Sequence, residues 1–159
     1  MQSLERKLDA VIHLVMAETE AERSAAKAEL DNILTAVEKA ETDPESMIRA
    51  VLLELGVPDH IFGHKYLVTA ILLTVKDQIS VNHIMRRLYP AVANEHGTTP
   101  SKVERAIRHA VEIAFDRGDA DTLYQYFGNT INGCKGKATN SEFIARIAND
   151  IRARVVSHG

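Results

Sequence analysis

The chain of 159 residues is 45% hydrophobic and 26% charged, carries a formal charge of −3 and has no tryptophan. It is long enough to bury a core, and no apolar run approaches the roughly 20 residues of a membrane span. Its one cysteine, Cys134, excludes an internal disulfide and a cysteine-built zinc cluster. MQSLERKLD lacks the basic-then-apolar order of a signal peptide, so a reducing cytoplasm is expected.

The charge is unevenly spread. Residues 1–44 carry ten acidic and five basic side chains, and residues 45–159 carry twelve and fourteen. Mild basicity in the larger part permits nucleic-acid binding without demanding it.

Alternating runs of β-branched and aromatic residues are absent and helical spacing recurs, which predicts an all-α protein. Leu4, Leu8, Val11 and Val15 form one helical stripe that breaks at Glu18 and Glu22. Leu30, Ile33, Leu34 and Val37 form a second. Residues 3–40 are therefore expected to be an interrupted helix or a helical hairpin. They hold too few large apolar residues for a core of their own, and must pack on the rest of the chain or on another copy. The polar stretch ETDPES, 41–46, is the best boundary. It separates an acidic helical arm, 1–44, from a compact multi-helix domain, 45–159.

In that domain Asp43 is placed to cap a helix begun by Pro44 and ended by Gly56. An apolar and central helix is expected from Phe62 to Lys76, another near 80–88 and a short one over 90–95. After GTTPSKVERAIRHAVEIAFDRG, 97–118, comes a short helix near 120–127. A glycine- and asparagine-rich loop then precedes a last helix, capped by Asn140 or Thr139 and running to about Arg154.

The stretch AVANEHGTTPSKVERAI carries the chemistry. Ala93, Gly97 and Val103 have the spacing of a helix-turn-helix: a small residue for close crossing, a glycine for the turn, an apolar anchor beneath the second helix. His96 stands where an apolar residue is usual. Thr99 or Ser101 is placed to cap the second helix, and Val103, Ile107, Ala110 and Ala114 form its inner face. Ser101, Glu104, Arg105, Arg108 and Glu112 lie opposite, with Lys102 and His109 at the borders. Such a face can be a solvated surface held by Glu–Arg pairs. It can also be a recognition helix, whose arginines take guanine and whose glutamate takes cytosine in the major groove.

SKVERAIRHAVEIAFDRG resembles the recognition helix of the C-terminal effector domains of the stage-zero sporulation protein A family. ELGVPDHIFGHKYL, RRLYPAVANEHGTT and KATNSEFIARIAND extend the likeness over roughly 45–155. The resemblance implies an all-helical DNA-binding domain that reads a short box containing CGAA, with copies in tandem. It implies that Glu104, Arg105 and Arg108 face bases, while Ser101, Lys102 and His109 touch phosphate or the groove edge. Lys102 departs from the family's arginine, which removes a bidentate contact. The lysine-rich family terminus is replaced by RARVVSHG, leaving Arg152 or Arg154 for any end contact. The family's receiver domain has no counterpart among the roughly 44 residues that precede the effector, so switching by aspartyl phosphorylation of such a domain is not expected.

Other motifs point to less. His60 and His64 lack a third metal ligand, and the intervening IFG argues against a regular helix between them. KGKAT, 135–139, lacks the order of a phosphate loop, although Lys135 and Lys137 can meet DNA phosphates at a helix start. Cys134 has no nucleophile motif around it, and no paired carboxylates suggest an enzyme. The expectation is a transcription regulator without cofactor or metal. Its expected partners are double-stranded DNA with a CGAA-type box, a second copy of the chain, and RNA polymerase or a full-length regulator. The rival expectation is an interaction module that antagonises such a regulator through its N-terminal helices, or whose acidic arm covers its own basic face.

Overall fold

A computed structural model describes residues 2–77, 81–128 and 136–157. Among them are eight helices and no strand: α1 Gln2–Met16, α2 Glu20–Thr42, α3 Pro44–Glu54, α4 Phe62–Asp77, α5 Val81–Glu95, α6 Pro100–Arg117, α7 Ala120–Phe127 and α8 Asn140–Ser157. The chain divides into two units, Met1–Asp43 and Pro44–Gly159.

The first unit is a hairpin of α1 and α2. Thr19 ends the break between them as the N-cap of α2. Its hydroxyl accepts from the Glu22 N–H at 3.2 Å, and the Glu22 carboxylate accepts from the N–H groups of Thr19 (3.1 Å) and Glu18 (3.0 Å). These backbone donors, Thr19 foremost, hold the Glu22 carboxyl below its ordinary pKa. Glu22 thus belongs to the first turn of α2 and not to the break. Small residues, Ala10 and Ala26, are the buried ones. The stripe beside them stays open, with Leu4 at 72% and Val15 at 78% exposure.

In the second unit α4 is central and packs against α3, α5, α6 and α8. Its sequence explains the position: Leu67, Ala70, Ile71 and Tyr66 are buried, and so are His64, Thr69 and Thr74. Ile48, Leu52, Ile107, Ile144, Ile147 and Ile151 close the core from the neighbouring helices. Each such side chain contributes roughly 1.5–3 kcal/mol on burial. Phe127 and Phe143 stack at 5.2 Å, fastening α7 to α8.

Glycine lets α6 sit deep. A Cβ on Gly63 of α4 would lie 2.3 Å from the Ala106 carbonyl oxygen and 2.7 Å from the Ala110 Cβ. Farther along, Gly56 and Gly118 meet backbone to backbone where α3 and α6 end, since a Cβ on Gly56 would stand 2.9 Å from the Gly118 Cα.

Two details differ from the sequence expectations. Residues 81–95 form one helix, not two, with Pro90 inside it. Pro90 is exposed, so its ring lies on the solvent side while Leu88, Val92 and Ala93 hold the opposite side in the core. The last helix runs one turn past Arg154, to Ser157. As expected, no regular helix joins His60 to His64: residues 59–61 are turn and bend, and α4 begins at Phe62. Asp43 is the single residue between α2 and α3, and its N–H donates to the Lys39 carbonyl at 2.9 Å.

Candidate nucleic-acid interface

Helices α5 and α6 make a helix-turn-helix. Gly97 stands at φ 61°, where an L side chain costs roughly 1–2 kcal/mol. The N–H groups of Gly97 and Thr98 donate back to the carbonyls of Asn94 (3.4 Å) and Ala93 (2.9 Å), which closes the end of α5. Ala93, Val92, Val103 and Ile107 are buried, as the spacing predicts. Thr99, not Ser101, caps α6, accepting from the Lys102 N–H at 3.4 Å, and Pro100 opens the helix. Ser101 is left exposed on the outer face.

His96 finds its own solution to an apolar position. Its ring lies edge-on to Tyr66 at 5.0 Å, and Nε2 bonds the Thr69 hydroxyl at 2.8 Å. The imidazole thereby packs on α4 and also hydrogen-bonds to it.

The inner face of α6 is Val103, Ile107, Ala110, Val111 and Ala114. At about 100° per residue, Arg105 points opposite the middle of that face. Ser101, Lys102, Arg105, Arg108 and His109 are all exposed, and Glu104 is half-buried. Arg108 donates to the Glu104 carboxylate one turn earlier. Arg105 forms no hydrogen bond or ion pair with another described residue.

Lys137, from the segment before α8, reaches Asp116 of α6 at 2.6 Å. The start of α8 thus flanks α6. Between them lies a groove of about 380 Å³ lined by Tyr89, Glu104, Arg108, Lys137, Asn140 and Ser141. Thr139 is the cap of α8: its hydroxyl accepts from the Glu142 N–H at 3.3 Å, and its own N–H donates to the Glu142 carboxylate at 2.9 Å. That leaves the Asn140 amide for other work. It donates to the Tyr89 hydroxyl at 3.1 Å and to the Glu104 carbonyl at 3.3 Å. Burial pushes the Tyr89 hydroxyl above its ordinary pKa, and the bond from Asn140 opposes the shift. Sequence reasoning missed Tyr89 and the second role of Asn140, because no local pattern marks a contact across 51 residues.

The two C-terminal arginines are engaged inside the fold. Arg152 donates to the Thr74 and Val75 carbonyls at the end of α4 and to Asn149. Arg154 bonds the Tyr126 hydroxyl at 3.0 Å and Asp150 at 2.9 Å. They anchor α8 and do not extend a cationic tail. His60 is exposed at its side chain, whereas His64 is 1% exposed. The two therefore occupy different environments. Among the described residues no group of three His, Cys, Asp or Glu could hold a metal. Cys134 and Lys135 lie outside the described residues.

The model of the family described as "Sporulation initiation factor Spo0A C terminal" matches residues 48–151. The chain belongs to this Spo0A C-terminal family. The matched span contains α4 to α7 whole, with most of α3 and α8, and the α1–α2 hairpin lies outside it. The Spo0A C-terminal family is one of DNA-binding domains, so the matched part is a DNA-binding effector domain of the sporulation-regulator kind, with double-stranded DNA as its partner. Its all-α architecture agrees with that membership. No helix among the described residues is long and apolar enough to cross a membrane.

Proposed function

We propose that this Spo0A-type domain is a sequence-specific transcription regulator that lays α6 in the major groove of a CGAA-type box. One observation carries it: Arg105 is exposed, opposite the buried face of α6, and unpaired within the described fold. A guanidinium so placed is available for guanine O6 and N7. Glu104 and Arg108 extend the base-reading face, and Ser101, Lys102, His109 and Lys137 hold phosphates or the groove edge. The test is selection of bound sequences from random DNA, then measurement of Arg105→Ala on the selected and a scrambled duplex. Loss on the selected duplex alone supports base reading, and equal loss on both refutes it.

Among the described residues no strand is present, so residues 4–39 do not form the strand-ending aspartate of a receiver. We infer that DNA binding is not switched through a phosphoacceptor within residues 4–39. The hairpin takes the regulatory place instead. Its open stripe of Leu4, Leu8, Val11 and Val15 favours pairing with a second copy. Sedimentation of the full chain against Leu8→Glu tests this: a dimer made monomeric by the charge supports it. A monomeric wild type that instead captures a full-length regulator would favour the antagonist role.

A further inference from the structure

Three elements meet at the Asn140 side chain. The residue opens α8, yet its amide hydrogen-bonds both helices of the helix-turn-helix: the Tyr89 hydroxyl on α5 and the Glu104 carbonyl on α6. We infer that Asn140 is a positioning residue for DNA reading, a bracket that sets the angle of α6 against α5 and against the start of α8. The inference rests on the placement of α6 in the groove proposed above.

The physical case begins with α5. Pro90 follows Tyr89 and has no N–H, so α5 lacks one of its own hydrogen bonds at that turn. The helix is most easily bent there, and the Asn140–Tyr89 bond braces it at the adjoining residue. On α6 the acceptor is the backbone of Glu104, not its side chain. Glu104 is thereby held from both ends, its carbonyl by Asn140 and its carboxylate by Arg108. Arg105 is the next residue along. A tilt of α6 about its core contacts would move the Arg105 guanidinium across the floor of the groove, where a bidentate contact tolerates little displacement.

The same bracket ties the base-reading helix to its phosphate anchors. Lys137, Thr139 and Ser141 line the groove beside Arg108. Contacts to phosphate set register, and contacts to base edges read sequence. Asn140 fixes the distance between the two sets. Its removal leaves the charges in place and loosens their alignment.

The test uses the full chain with Asn140→Ala and Tyr89→Phe, each titrated with a selected and a scrambled duplex at two salt concentrations. The expected result is a fall of about tenfold in the affinity ratio between the duplexes, with scrambled-DNA affinity and salt slope unchanged. The double variant should fall no further than Asn140→Ala alone, which already removes both bonds of the bracket. Tyr89→Phe keeps the ring and guards against a folding defect. Equal weakening on both duplexes would make Asn140 a phosphate contact and overturn the inference, as would an unchanged ratio in both variants. Amide exchange on DNA-free protein separates the two layers. Faster exchange around Tyr89 and Glu104 with α4 unaffected supports the bracket even if the wild type proves unselective, an outcome that would sink the proposed function instead. Unchanged exchange there would remove the bracket itself.

Discussion

Arg108 and Glu104 are joined to each other one turn apart on α6, so two groups proposed to read bases are paired in the DNA-free protein. The Arg108 side chain is 63% exposed, and the pair contributes only about 0.3–0.5 kcal/mol to stability. Its effect is on binding. Glu104→Gln should release Arg108, tighten binding to scrambled DNA and steepen the salt slope by about one, while the melting temperature barely moves. Discrimination at cytosine in the box should fall, because an amide is a weaker acceptor than a carboxylate. Fluorescence titrations at two salt concentrations read both effects.

Lys137 presents the opposite case. Its ammonium rests on Asp116 at 2.6 Å, so a phosphate must draw it away from that carboxylate. Lys137→Ala should weaken selected and scrambled duplexes alike and lower the salt slope by about one. A change confined to the selected duplex would mean that Lys137 reads sequence.

Gly63 and Gly97 should separate two costs of adding a methyl group. At Gly97 nothing lies within 4 Å of where a Cβ would stand, but φ is +61°, so Gly97→Ala should cost roughly 1–2 kcal/mol through backbone strain. At Gly63 the obstacle is the Ala106 carbonyl oxygen at 2.3 Å. Gly63→Ala must push α6 away from α4, at about 1–3 kcal/mol or more. It should also blunt DNA discrimination, whereas Gly97→Ala should affect discrimination less. Urea midpoints paired with titrations on both duplexes check the order.

His64 makes folding acid-sensitive. It is 1% exposed, and its Nδ1 has no hydrogen-bond partner. Burial lowers its pKa below the ordinary 6.5, outweighing the Val57 carbonyl that favours the charged form; Arg49 lowers it further and Asp59 opposes. The unfolded chain therefore binds the proton more readily than the folded one. Stability is full above the unfolded pKa and declines as pH falls below about 6.5 towards the lower folded value. Urea midpoints at pH 7.5 and pH 5.5 should show this decline, and His64→Leu should reduce it.

Much of the fold was legible because helices announce themselves locally. The stripe of α1, the Pro44 start of α3, the apolar α4 and the Ala93–Gly97–Val103 spacing all follow from side-chain period and backbone preference over a few residues. Pro90 misled for the same reason. A local rule predicts a break, but an exposed proline leaves α5 continuous while the core holds its other side. Thr19 and Glu22 form a capping box that the T-x-x-E spacing could have revealed.

Sequence alone determined that α6 has one apolar and one polar face, since 3.6-residue periodicity is a property of order along the chain. It could not decide which polar side chains would stay available. That depended on neighbours distant in sequence and close in space: Asp116 taking Lys137, the end of α4 taking Arg152, and Asn140 gripping Tyr89 and Glu104. Hydrogen bonds and ion pairs act over about 3 Å. Only the packed tertiary structure brings those partners within reach, and only it leaves Arg105 unclaimed among the described residues.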